Sequence, residues 1–213
     1  MKQTIRSESE PMIDQTKGER TREAILERAV ELFNRKGYSG ASLSDIMEAT
    51  GLQKGGIYNH FQSKENLALE AFDYGFKVAS DRLVASFKGK RDSIERLNAI
   101  IRFFEDYHKS PPWQGGCILL NTAIDSDDTN PALRERARNG MEQWHDMISH
   151  IVTKGIQYGQ IRANVDAQEV ASVLISTLEG AIMLSKLYGD GIHIERAVKY
   201  LLTYVESSLR VRP

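Results

Sequence analysis

The residues best suited to chemistry lie between Lys54 and His60, where KGGIYNH groups a cation, two glycines, a tyrosine, an asparagine and a histidine without an acidic residue. Lys54 can donate to guanine acceptors or to a phosphate, and Asn59 can pair with an adenine edge. A second group centres on Cys117, which follows Gly115-Gly116 where a helix is expected to begin, a position that lowers a thiol pKa. Alone, that thiol reads as an electrophile- or oxidant-sensing switch, or as a small buried hydrophobe. With His108 or His145 as base it reads as the nucleophile of a helical enzyme, although no third group to orient the histidine is evident. The acidic run Asp125, Asp127, Asp128 lacks the calcium-loop pattern. The five histidines include no pair at i, i+4, so no metal site and no cofactor are expected.

These groups need elements to position them, and composition limits what those elements are. The chain is 41% apolar and 27% charged, an ordinary globular balance. Its net charge is −1, and residues 1–66 hold ten Lys plus Arg against ten Asp plus Glu. A nucleic-acid surface would therefore have to be local, and a helical interaction module without DNA binding is a competing reading. A single cysteine excludes an intrachain disulfide and a multi-cysteine zinc site, and it suits a reducing cytosol. The N-terminus lacks the apolar core of a signal peptide, and no stretch approaches the roughly 18 apolar residues of a membrane span. A cytoplasmic protein with no membrane partner is expected.

Helix punctuation is frequent, and no alternating apolar–polar run is flanked by hairpin turns, so an all-α fold of about nine helices is expected. Residues 1–16 read as a flexible tail. A helix over 17–36 places Ile25, Ala29, Leu32 and Phe33 on one stripe and stops at Gly37. Ser42 with Asp45 opens a short helix that ends at Gly51. A third helix covers 53–61, and Ser63 caps a longer one reaching 87. Further helices are expected over 92–109, stopped by Pro111-Pro112, and over 116–124. Asn130-Pro131 opens one to 158, Asp166 with Glu169 one to 189, and the last spans 192–209.

Residues 42–61 thus make two short helices with a tight turn at Gly51, the geometry of a helix-turn-helix whose second helix enters a major groove. The segment GLQKGGIYNHFQSKENL at 51–67 resembles the recognition-helix signature of the TetR (tetracycline-repressor-like) family. AILERAVELFNRKGYSGASLSDIMEATG at 24–51 resembles that family's first two helices, and the match covers residues 18–78. The resemblance implies a DNA-binding domain over 17–67 and an effector-binding and dimerisation domain over 68–213. It implies a transcriptional regulator rather than an enzyme, usually a repressor released from a palindromic operator by a small-molecule effector. By position, base reading falls on Lys54, Gly55, Gly56 and Asn59, with Tyr58 close to both bases and backbone. Phosphate contacts fall on Ser42, Tyr58, His60 and Lys64, and Ser44 lies where some members reach a base or phosphate. Gln53 stands where the family often has Ser or Thr, so the cap is expected to be weak. The Gly55-Gly56 pair costs roughly 1 kcal/mol per glycine relative to alanine; close approach to DNA and a poorly ordered recognition helix would each explain it.

The segment EVASVLISTLEGAIMLSKLYG at 169–189 is apolar on more than one face. The resemblance implies that the last two long helices pair with their copies in a homodimer. The expected interface is Val170, Val173, Leu174, Leu178, Ala181, Ile182, Val198, Leu201, Leu202 and Val205; the alternative is two core helices of a monomer. Two recognition helices about 34 Å apart would then meet successive turns of a near-palindromic operator. The effector is expected among the middle helices, lined by Phe103, Phe104, Tyr107, His108, Trp113, Cys117, Asn121, Trp144, His145 and Met147. Aromatic residues at helical spacing are also what a plain core would show.

Overall fold

The computed structural model describes residues 16–212, so the tail expected over 1–16 falls, but for Thr16, outside them. Nine α-helices follow in order among the described residues. They are α1 (Lys17–Lys36), α2 (Leu43–Thr50), α3 (Lys54–Tyr58), α4 (Lys64–Phe87), α5 (Ser93–Phe103), α6 (Ile118–Ser126), α7 (Pro131–Gln157), α8 (Ala167–Tyr188) and α9 (Ile192–Tyr204). A π-helical turn, Val205–Leu209, closes the last helix, and a single β-bridge joins Ile161 to Arg210. The all-α expectation holds.

Local chemistry sets most of the helix starts. Thr16 and Ser42 each close a capping box with the acid three residues on, while Ser63, Asp92, Asn130 and Asp166 accept first-turn amides. Two helices are shorter than the sequence implies. α3 stops at Tyr58, with no side-chain cap from Gln53 and two glycines among its five residues. α5 ends at Phe103, well before Pro111-Pro112, because the next aromatic side chains turn into the core. Phe104 stacks on Tyr107 at 5.4 Å and meets Phe103 edge-on at 5.2 Å.

α1, α2, α3 and the first half of α4 enclose Ile25, Ala29, Ile46, Ile57, Phe61 and Leu67, all buried. The second half of α4 packs on α5 and α7 through Phe76, Ala79 and Leu83. The Trp144 indole N–H donates to Ser80 Oγ at 3.0 Å on that side. α4 therefore belongs to both parts of the molecule and runs unbroken across position 67.

α8 packs on α7 and α9, and this corrects the expected dimer interface. Eight of the ten residues assigned to it (Val170, Leu174, Leu178, Ala181, Ile182, Val198, Leu201 and Val205) are at most 6% exposed inside the chain's own core. Only Val173 and Leu202 are half-buried. The bulkiest stripe of α8 is taken up by its neighbours within the chain and is not left for a partner. The opposite side is also apolar: Met183 is 46%, Leu187 70% and, from α9, Tyr200 64% exposed. With apolar groups on both sides, α8 has the length and mean hydropathy (1.5 over its most apolar window) of a membrane span, which the sequence was expected to lack; 44% of that window is buried against the protein.

Where α1, α4 and α6 cross, a Cβ at Gly75 would lie 2.6 Å from Ile118 Cδ1 and 2.9 Å from Val30 Cγ1. Only a hydrogen lets the three helices come this close, and the Trp113 indole N–H seals the spot by donating to the Gly75 carbonyl at 2.8 Å. Gly75→Ala is expected to lower unfolding free energy by about 1–2 kcal/mol, overpacking outweighing the gain in helix propensity. Urea denaturation measures it, and an unchanged or raised midpoint would show that the crossing has slack.

Candidate nucleic-acid interface

The short helices of the N-terminal unit are held from behind. Gly51 ends α2 in the left-handed region (φ 68°), where a side chain would be strained. Ile57 and Phe61, each 1% exposed, anchor α3. The Arg22 guanidinium lies 4.9 Å from the centre of the Phe61 ring and pairs with Glu70, tying α1 to α4 across the end of α3. Lys36 Nζ sits 2.5 Å from Asp45, which also accepts the Ser42 hydroxyl at 2.6 Å. Lys36 first, then Ser42, hold the Asp45 carboxyl well below the usual carboxylate range.

On the outward side of α3, Lys54, Gly55 and Asn59 are exposed and Gly56, Tyr58 and His60 half-buried. Lys54 Nζ lies 5.7 Å from the Tyr58 ring centre. Ser44 is exposed in the first turn of α2. Two of the expected phosphate contacts are already engaged. The Ser42 hydroxyl serves the α2 cap, and the Lys64 ammonium donates to the Tyr38 carbonyl at 2.6 Å, 4.3 Å from that ring's centre. A phosphate would have to compete with those bonds.

A Cβ at Gly55 would meet nothing within 4 Å, and one at Gly56 only the Leu52 side chain at 3.6 Å. Nothing inside the chain requires glycine at 55, and the open space faces outward. Gly55→Ala is therefore expected to raise the stability of the free protein by about 0.5–1 kcal/mol while weakening its grip on duplex DNA. Thermal melts and fluorescence anisotropy give the two signs; a variant that binds as tightly as wild type would show that no close approach occurs over this residue.

Behind this unit lie two cavities, the second of them lined in part by the loop at residues 114–116. One of about 310 Å³ lies between α1, α4 and α6, lined in part by Phe33, Asn34, Tyr38, Phe72, Asn121 and Asp125. The other, of about 280 Å³, is bounded by Tyr107, His108, Gly116, Ile182, Lys186 and Ile194 among others. The loop is bonded from both directions. Asn34 Nδ2 donates to the carbonyls of Gln114 (2.9 Å) and Gly116 (3.0 Å), Asn121 Nδ2 to Gly115 (2.9 Å), and Lys186 Nζ to Gly115 (2.5 Å).

The structure gathers some of the expected effector residues and scatters others. Phe103, Phe104, Tyr107 and Trp144 form one aromatic group, Phe104 meeting Trp144 edge-on at 6.4 Å. Cys117 is buried beside Tyr107, and His108 lines the second cavity. Trp113, however, pegs α4 and lies tilted against Tyr74 with ring centres 6.0 Å apart, and Asn121 belongs to the loop network. His145 bonds Ser172 at 3.1 Å, and Met147 is half-buried on α7. Sequence reasoning missed Glu179, an acid alone within the apolar run VLISTLEGAIML. That isolation was the available signal.

Glu179 is 6% exposed, and its Oε2 has no hydrogen-bond partner. Burial pushes its pKa up to about 7, slightly offset by a hydrogen bond from the Cys117 thiol. Cys117 stands at the start of α6 as expected, yet its pKa rises rather than falls: burial and then the Glu179 charge outweigh the amides of Leu120 and Leu119. A thiol so buried and protonated suits neither a sensor nor a nucleophile, and neither His108 nor His145 is bonded to it. Glu179 binds its proton more tightly folded than unfolded, so its contribution is complete below about pH 4.5 and is lost as pH rises to about 7. At 1.36 kcal/mol per pKa unit, that amounts to about 3 kcal/mol. Glu179→Gln removes the titration, so wild type minus variant stability is expected to fall by that order between pH 4.5 and 8. A flat difference would mean the carboxyl is hydrated.

Comparison with known proteins converges on one group. Residues 25–71 match "Bacterial regulatory proteins, tetR family", and residues 93–201 match "Tetracyclin repressor-like, C-terminal domain". The chain is similar to a TetR transcriptional regulator of known structure from Chloroflexus aurantiacus: 45% identity, TM-score 0.89, covering 92% of this chain and 99% of that one. It is similar to a putative transcriptional regulator from Saccharomonospora viridis solved in complex with choline, at 25% identity and TM-score 0.77, covering 91% and 99% of the two chains. It also resembles the HTH-type transcriptional repressor DhaR of Mycobacterium sp. (strain GP1), 25% identical over 166 residues, 78% of this chain and 82% of that one.

Proposed function

This chain belongs to the TetR family of bacterial transcriptional regulators, and we propose that it represses by seating two copies of α3 in successive major grooves of a palindromic operator until a small molecule draws it off. One observation carries the finer reading. The outward side of α3 offers Lys54, Tyr58 and Asn59 around a glycine with nothing above it, and no acidic residue lies between Lys54 and His60. A major groove about 12 Å wide admits such a helix. The protein acts in the cytoplasm, where its DNA is, and as a binding protein rather than an enzyme, its one thiol being buried.

Pairing falls to the outward sides of α8 and α9, through Val173, Gly180, Met183, Leu187 and Tyr200. A Cβ at Gly180 would meet nothing within 4 Å, so two α8 helices can approach closely there. Release needs a route from body to head, and the loop at 114–116 supplies one. A ligand entering the 280 Å³ cavity disturbs Gly115 and Gly116, and through Asn34 the C-terminal end of α1. The Saccharomonospora viridis relative in complex with choline supports a small-molecule effector in this architecture. A hundredfold release requires the ligand to favour the released state by nearly 3 kcal/mol.

Selection from a random duplex library is expected to enrich an inverted repeat. Asn59→Ala then relaxes preference at one base position by about 1–3 kcal/mol, while Lys54→Ala lowers the salt dependence of binding if its contact is a phosphate. Leu187→Glu is expected to sediment as a monomer and to lose most operator affinity. No enrichment at low ionic strength, or a wild-type protein that sediments as a monomer, defeats the reading.

A further inference from the structure

A carboxyl group inside an apolar core is protonated, paired with a cation, or waiting for a partner that comes and goes. Glu179 has no Lys, Arg or His as a partner among the described residues; its polar neighbours are Tyr107 and the weakly donating Cys117 thiol. Its Oε2 is an acceptor with nothing to accept. Were the role structural, glutamine or an apolar residue would cost less. The 280 Å³ cavity is lined in part by Tyr107, Gly116 and Ile182. Glu179 is not itself among the residues that line this cavity, but it lies one helical turn from Ile182 along α8 and has Tyr107 as a neighbour, so the carboxyl sits next to two residues of the cavity's wall.

We propose that Glu179 is the recognition group for a protonated monoamine, which enters this cavity and donates an N–H to Oε2. The inference rests on the effector reading above and names its ligand class. An ammonium carrying hydrogens brings both the charge and the donor that the site lacks. A quaternary ammonium would bring charge without a donor, an alcohol a donor without charge, and a carboxylate would be repelled. Tyr107, stacked on Phe104, offers an aromatic face to the cation, and Ile182 and Ile194 suit its alkyl chain. Lys186 lines the same cavity two turns further along α8, about 10 Å from Glu179 by helical rise, and disfavours a second ammonium.

Calorimetric titration of the full chain with n-butylamine, n-butanol, butyrate and butyltrimethylammonium tests this. n-Butylamine is expected to bind tighter than each of the other three by about tenfold or more, and Glu179→Gln to cost the amine about tenfold or more. Because the variant's packing could itself shift, a second measurement uses wild type alone. At pH 6, amine binding is expected to release about one proton as Glu179 ionises, read from heats in buffers of different ionisation enthalpy. The proposal is overturned if n-butylamine does not bind, if another probe equals it, if Glu179→Gln binds it undiminished, or if no proton is released. If the amine binds as described but leaves operator affinity unchanged, the site stands and the effector half of the proposed function falls. If no duplex is enriched, the DNA reading falls, and the titration still decides this one.

Discussion

Val30, Gly75 and Ile118 meet where α1, α4 and α6 cross, and because a methyl group does not fit between them, the three helices share one position. α1 carries the DNA-binding unit, α6 opens beside the cavity loop, and α4 runs through both. Asn34 and Asn121 bond the same loop a short distance away, adding direction to what the apolar crossing supplies in closeness. A packed junction of this kind has few intermediate settings, since interiors at crystal-like density move between discrete arrangements rather than deform smoothly. That is what a switch needs between a ligand and a groove-reading helix.

The recognition surface shows how a nearly neutral chain can be a DNA-binding regulator. Acids and bases balance over residues 1–66, but several of the acids are engaged away from α3: Asp45 with Lys36, Glu23 and Glu27 with the Tyr74 hydroxyl, Glu19 in the α1 cap. What remains around Lys54 and Asn59 is polar and uncontested. α3 itself is short and poorly capped, so its order depends on Ile57 and Phe61 behind it. The side proposed to face phosphate and the side that stabilises the helix are thus opposite sides of the same few residues.

Most of the architecture was legible because helix starts are written locally. Ser42-x-x-Asp45, Asn130-Pro131 and Asp166-x-x-Glu169 each fall where a helix begins. Boundaries failed where tertiary packing overrode the local signal, as when Phe104 and Tyr107 turned α5 into the core ahead of the prolines. The face of α3 could be read from spacing and the Ser42–Asp45 cap from its local pattern, but the engagement of Lys64 could not, because the Tyr38 carbonyl reaches it through space. The dimer residues were misassigned for a related reason. Periodicity reveals that α8 has two apolar sides without saying which one its own chain claims. Of the two readings of the Cys117 thiol the buried hydrophobe holds, because a helix start lowers a thiol pKa only where burial does not outweigh it.

The unbroken run of α4 has a mechanical consequence. Its 24 residues make a rod about 36 Å long, gripped at one end by α5 and α7 and at the other by α1. A tilt of about 5° at the gripped end would sweep the far end through about 3 Å, roughly the length of a hydrogen bond. Leverage of that size turns a displacement smaller than an atom near the body into a misfit of a whole contact at the groove, without any helix having to melt.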